Sequence, residues 1–189
     1  MIIGIDEVGR GCLAGPLLAA AVEFDNGIDI IGVKDSKKLS RCQREGLVPM
    51  IESQSSQYGI GWVWPEEINK IGLTESVRLA MQRAIDKLDI NDQTIIIDGN
   101  YNYLNHIDGS SCLIKADDLV QQVAAASVLA KVARDKYMYD ISTKYPGYLF
   151  EKNVGYGTKH HMSAIENLGI TPIHRTSFSP IKELLLYND

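Results

Sequence analysis

The run from Cys12 to Phe24 constrains the fold most. It is the chain's best candidate for a membrane-crossing segment, yet it falls short of the roughly 18 apolar residues a spanning helix needs and it contains Pro16. It also lacks the layout of a secretory leader, because Asp6 and Glu7 stand ahead of it where positive charge belongs. Its second part, Leu17 to Phe24, therefore reads as a largely buried β-strand. The expectation is a cytoplasmic protein, one domain over residues 1–189, with room for a real hydrophobic core.

Other segments supply the partners for that strand. Met1 to Val8 is mostly apolar and reads as a strand, followed by a loop punctuated by Gly9, Gly11 and Gly15. Ser40 and Gln43 have the spacing of a capping box, which predicts a helix from about Arg41 to Glu52. Gln57 to Trp64 alternates as a third strand. Pro65 opens a short helical turn, and Thr74 caps a predicted helix to Leu88. The β-branched run Gln93 to Ile97 ends in Asp98-Gly99-Asn100, a strand and a sharp turn. Ser111 to Ile114 is a further short strand. A long helix is predicted from about Leu119 to Thr143, its Ala124-Ala125-Ala126-Ser127 stretch small enough to lie close on a sheet. Thr158 to Leu168 is another helix stopped by Gly169, and Ser179 to Tyr187 forms a short helical tail. Three strands followed by alternating helices and strands give a mixed α/β arrangement.

Three acidic positions share a setting. Asp6 and Glu7 end an apolar strand, Asp98 ends a β-branched run, and Asp117 closely follows a short strand. Neighbouring strand ends lie about 5 Å apart, so these carboxylates can meet at one rim. As bare anions they would repel one another. Two divalent cations remove that penalty, and an all-oxygen ligand set suits Mg²⁺ or Mn²⁺. Such a pair hydrolyses phosphodiesters. Adjacent Asp6 and Glu7 point to opposite faces of a regular strand, so both can serve only if the strand bends or ends there, which Gly9 would permit. Taken singly, each acid is better explained by a turn cap or a solvated position; the four together, with the motifs around them, are not.

The net charge of −5 does not by itself suggest a nucleic-acid partner. Metal binding by four carboxylates would remove most of that excess, and positive charge is concentrated in Lys34, Lys37, Lys38, Arg41 and Arg44, with Asp35 the one acid among them. Cys12, Cys42 and Cys112 are odd in number and scattered, which argues against a disulfide framework or a zinc site and for single buried thiols.

The motifs resemble those of type 2 ribonucleases H. Gly4-Ile5-Asp6-Glu7-Val8-Gly9-Arg10-Gly11 with Ala14-Gly15-Pro16-Leu17 is similar to that family's signature. The likeness continues through Asp35-Ser36-Lys37-Lys38-Leu39-Ser40, Ile97-Asp98-Gly99-Asn100, Lys115-Ala116-Asp117 and Ala124 to Asp135. It closes with Tyr145-Pro146-Gly147-Tyr148, Gly155-Tyr156-Gly157-Thr158, His161 and His174 to Phe178. The blocks stand in family order across nearly the whole chain.

The resemblance implies a ribonuclease H-like α/β fold with a five-stranded mixed sheet flanked by helices. It implies a monomeric endoribonuclease, active in ribonucleotide excision repair, that cuts the RNA strand of RNA–DNA hybrids. It further implies cleavage 5′ of single ribonucleotides embedded in duplex DNA, leaving 3′-hydroxyl and 5′-phosphate ends, with two Mn²⁺ or Mg²⁺ ions. The family's metal ligands fall on Asp6, Glu7, Asp98 and Asp117. Asp118 and Asp135 compete for the fourth place, but the Lys-x-Asp frame favours Asp117, and Asp135 is expected to pair with Arg134. Gly9, Arg10 and Gly11 correspond to a turn that reads the 2′-hydroxyl, a group that distinguishes RNA from DNA; the residues alone fit a tight turn with an exposed Arg equally well. Tyr156 corresponds to a tyrosine set against the next sugar, and Lys37 and Lys38 are expected on phosphates. His161 and His174 are expected to pack or hydrogen-bond, not to bind metal. Many family members carry Lys immediately before the Gly-Tyr-Gly turn where this chain has Asn153-Val154, so a phosphate contact is expected to be lost. Three rivals remain on sequence grounds: the related type 3 ribonucleases H, a catalytically silent hybrid-binding module, and a phosphatase acting on small substrates.

Overall fold

The fold follows from a strand that must be covered on both sides. Every residue of the strand Leu17–Phe24 is buried. In the computed structural model, which describes residues 1–33 and 39–186, this strand (β2) lies between β1 (Ile2–Val8) and β3 (Ser55–Val63), antiparallel to both. β4 (Thr94–Asp98) runs parallel to β1, and β5 (Ser110–Leu113) parallel to β4. The five-stranded mixed sheet has the order β3-β2-β1-β4-β5.

Side chains alternate across β2. Leu17, Ala19 and Ala21 join the core on one face, with Val77, Ala80, Met81 and Ala84 of α2 (Pro65–Ile85). Ala20, Val22 and Phe24 join the other, with Leu47 and Ile51 of α1 (Arg41–Gln54) and Ala124 to Ala126 of α4 (Gln121–Ser142). α3 (Ala116–Leu119) precedes α4 and α5 (Phe150–Asn153) follows it. α6 (Lys159–Leu168) and α7 (Ile181–Leu186) complete a third cluster around Met138, Tyr148, Phe150 and Ile165.

Small residues decide how closely α4 lies on the sheet. A Cβ on Gly4 of β1 would stand 2.2 Å from the Val123 backbone nitrogen. Only glycine admits the helix at this distance, and the alanines of α4 continue the contact. The Ser40 capping box forms as predicted, and Thr158 caps α6. Two expectations change. The turn at Pro65 and the helix expected from Thr74 are one helical run broken at Gly72, whose φ of 79° interrupts it. The cysteines are free, but Cys42 is exposed near the start of α1 and Cys112 is half-buried, so only Cys12 is a buried thiol. No helix among the described residues is long and apolar enough to cross a membrane.

Candidate active site

β1 and β4 create the site by running side by side and then parting. Their pairing ends at Ile5 with Ile97, so Asp6 and Asp98 occupy the next position on adjacent strands. Asp6, Glu7 and Asp98 all line a groove of about 420 Å³, together with Val8, Arg44, Ser127, Val128, Lys131 and Tyr156. The strand does not end at the acid pair, because β1 stays paired to β2 through Val8 and Leu18. Both carboxylates reach the groove because the edge of β1 facing β4 is open beyond Ile5.

Asp6 is 8% exposed. One of its oxygens accepts the Glu7 amide at 2.8 Å, and the Ser127 hydroxyl bonds to the carboxylate. Burial, then the charges of Glu7 and Asp98, push its pKa up to about 8. Burial also raises Glu7, against the pull of the Arg10 guanidinium 3.1 Å away. Asp98 Oδ1 accepts the Ala116 amide at 2.8 Å, which ties α3 to the end of β4. Asp117, one residue on, is buried in the first turn of α3 and does not line the groove.

Among the described residues, no three His, Cys, Asp or Glu side chains form a ready-made metal cage. The donor set nonetheless fits a hard divalent ion. Three carboxylates face one groove, all donors are oxygen, and a buried Asp6 raised by its acidic neighbours is what a cation would relieve.

A loop follows the acids directly after β1. Gly9 has φ of 90°, and a Cβ there would meet the Arg134 guanidinium at 2.4 Å. Gly9 is thus required from inside the protein, whereas a Cβ on Gly11 would meet nothing and leaves that backbone open to a ligand. Tyr156 is 40% exposed, and its backbone bridges to Cys12. Lys131 Nζ and the Arg134 guanidinium each stand 5.9 Å from the centre of its ring.

Two fully buried arginines hold this loop. Arg134 donates to the carbonyls of Ala14, Pro16 and Val154 at 3.1, 2.9 and 2.8 Å. Arg175 donates to those of Gly15 and Arg10 at 3.0 and 3.1 Å, and burial lowers its pKa to about 10. The expected Asp135–Arg134 pair does not form. Asp135 pairs with Lys131 at 2.9 Å, one helical turn back on the same face, while Arg134 points into the protein. Asn153 has a structural task where the resemblance suggested only a missing lysine: its side chain donates to the Tyr148 carbonyl and accepts the Gly155 amide. Lys37 and Lys38 lie outside the described residues.

Sequence reasoning gave Ser127, Lys131, Arg134 and Arg175 no role at the site, offering only close packing for Ser127 and an Asp135 partnership for Arg134. For the first two a signal was present, since Ser127 and Lys131 are four apart on a helix whose alanines face the sheet. For the arginines none was, because their partners are backbone carbonyls, which any sequence carries.

A mixed sheet in this order, with carboxylates at the adjoining ends of its two central parallel strands, defines the ribonuclease H-like fold, whose members include metal-dependent nucleases. Comparison with known proteins narrows the class. A sequence-family model for Ribonuclease HII matches residues 3–181. A Ribonuclease HII of Neisseria meningitidis is 42% identical over 183 residues, 96% of this chain and 94% of that one. Among solved structures, ribonuclease H2 from Pyrococcus horikoshii superimposes with a TM-score of 0.84 at 27% identity, over 98% of this chain and 97% of that one. Bst-RNase HIII in complex with Mn²⁺ shares the fold with a TM-score of 0.76 at 22% identity, over 98% of this chain and 69% of that one. The chain belongs to the Ribonuclease HII family, the type 2 ribonucleases H, and so to the metal-dependent endonucleases that act on RNA–DNA hybrids.

Proposed function

We propose that Asp6, Glu7 and Asp98 hold two divalent ions, Mn²⁺ or Mg²⁺, with Asp117, which is buried outside the groove lining but follows the Ala116 amide that Asp98 holds, as the fourth ligand the resemblance supplies, and that the protein cuts on the 5′ side of a ribonucleotide to leave 3′-hydroxyl and 5′-phosphate ends. The observation that carries this reading is the groove in which Asp6, Glu7 and Asp98 meet Lys131, Arg44 and Tyr156. Ions bound there would activate water and stabilise the leaving oxygen; the Mn²⁺ in the Bst-RNase HIII complex supports that choice of metal.

The chain's own residues supply orientation and selectivity. Lys131 and Arg44 offer positive charge to a phosphate at the groove. Lys37 and Lys38 extend this role on sequence grounds. The backbone of Gly9-Arg10-Gly11 meets the 2′-hydroxyl, and the open space over Gly11 leaves room for a sugar. Arg10 answers Glu7 until substrate arrives. The exposed face of Tyr156 receives the following sugar, which selects an RNA–DNA junction and so extends the activity to single ribonucleotides embedded in duplex DNA. In this reading the protein works as a cytoplasmic monomer in ribonucleotide excision repair.

A cleavage assay tests this reading. A DNA duplex with one ribonucleotide and a long RNA–DNA hybrid are compared in Mg²⁺, Mn²⁺ and chelator. The expected result is cutting of both substrates, abolished by chelator, with Tyr156→Ala losing more on the single ribonucleotide. Cleavage of the long hybrid alone, or equal losses in the variant, would overturn the junction reading.

A further inference from the structure

The backbone that carries Tyr156 ends in a chain of hydrogen bonds running through two buried histidines. His161 and His174 are 0% and 1% exposed. The Thr171 amide donates to His174 Nδ1 at 2.8 Å, and the Thr171 hydroxyl, which can turn to donate, lies at the same distance. Nδ1 must therefore present a lone pair, which places the ring proton on Nε2. That proton faces His161 Nε2 at 3.0 Å, so His161 Nε2 is the acceptor and its own proton sits on Nδ1. His161 Nδ1 then donates to the Tyr156 carbonyl at 2.9 Å. Thr171, through its amide, thus fixes both tautomers and the direction of each ring bond up to the residue at the groove.

The surroundings hold the pair to this arrangement. Tyr148 and Phe150 pack against both imidazoles, with ring centres 5.2 to 6.4 Å apart. Burial pushes both pKa values down, His174 to about 4, so both rings are neutral at neutral pH. The Tyr156 turn and the Thr171–Arg175 segment also flank one loop: Cys12 bridges to Tyr156 and Ala14 to His174.

We infer that His161 and His174 are positioning residues, whose ring-to-ring hydrogen bond sets the Tyr156 carbonyl, and with it the Tyr156 ring, at the height where the ring meets a nucleotide. The inference rests on the proposed role of Tyr156. The two histidines act through that residue and touch no substrate themselves. The Tyr156 carbonyl also accepts the Thr158 amide at 2.8 Å, and the His161 ring adds a second donor whose position is set by His174; a freely rotating ring would not hold that second bond in place.

Two measurements on the full chain test it. Two-bond ¹H–¹⁵N correlation spectra of the imidazoles at pH 7, assigned with His161→Asn and His174→Asn, should show His174 protonated at Nε2 only and His161 at Nδ1 only. The reverse tautomers, or either ring protonated at both nitrogens, would overturn the inference, and this arm needs no activity.

The second arm is kinetic. His161→Phe fits the aromatic cage but removes both bonds. Its kcat/KM on a single embedded ribonucleotide should fall about tenfold, roughly the worth of one hydrogen bond in such a network, and by less on a long hybrid. His161→Asn places an amide N–H near the position of Nδ1 and should recover most of the loss. Parallel losses in both variants on both substrates would mark a merely structural role and refute the inference. Tyr156→Ala run alongside separates the two claims. If it discriminates between substrates and His161→Phe does not, the relay fails and the junction reading stands. If Tyr156→Ala itself fails to discriminate, the junction reading fails first.

Discussion

Replacing Asp6 by Asn should make the metal-free protein more stable while abolishing cleavage. The carboxyl rises from 3.8 to about 8 on folding. At roughly 1.4 kcal/mol for each pH unit, this sets a ceiling of about 6 kcal/mol on the destabilisation it causes when ionised. Local relaxation and water entering the groove reduce that, and we expect about 1–3 kcal/mol. The sign follows from linkage: a carboxyl whose folded pKa is raised weakens the fold as pH climbs above the unfolded value, and the effect is complete above the folded one. The two proteins should therefore match below about pH 4 and diverge up to about pH 8. Asn keeps an oxygen for the Glu7 amide and a donor for Ser127, so little else changes. Thermal melts in chelator at pH 8 should place the variant about 3–10 °C higher. Adding Mn²⁺ should then raise the wild type more than the variant, because bound metal stabilises only the state that holds it. A variant that melts lower than wild type at pH 8, or a gap independent of pH, would refute the electrostatic account of the site; full activity in the variant would remove Asp6 from the chemistry.

Two further predictions concern the frame of the site. Gly4→Ala drives a Cβ into the α4 backbone at Val123 and Gln122. It should cost about 3 kcal/mol by overpacking and lower activity by shifting Ser127 and Lys131; an unchanged urea midpoint would show that the helix can retreat. Val154 is a β-branched residue held at φ 43°, a conformation costing about 1–2 kcal/mol. Val154→Lys should ease that strain, lower KM on hybrid, and steepen the log–log salt dependence by about 0.9, one phosphate contact; an identical salt slope would place that side chain away from the duplex.

Much of the fold was legible because it is local. The strand Leu17–Phe24, the Ser40 capping box and the Thr158–Gly169 helix depend on hydrophobic period and on side chains bonding to their own backbone neighbours. The break at Gly72 was harder to place, because a lone glycine inside a helical pattern is tolerated as often as it interrupts. At the site, strand-end acids made Asp6, Glu7 and Asp98 recognisable. The way both Asp6 and Glu7 reach the groove was not, since it depends on where β4 stops pairing with β1.

The sequence by itself determined the mixed α/β class, the strands carrying Asp6, Glu7 and Asp98, and the residues on which a family resemblance could rest. These are properties of short segments, and side-chain chemistry writes them directly. Tertiary structure alone decided that Arg134 and Arg175 bind carbonyls of the loop after β1 and of Val154, that Asp135 turns to Lys131, and that Thr171 fixes the tautomers of two histidines beneath Tyr156. Each of these depends on backbone atoms that every residue shares, or on which face of α4 meets the sheet, and both are settled only when distant segments are packed together.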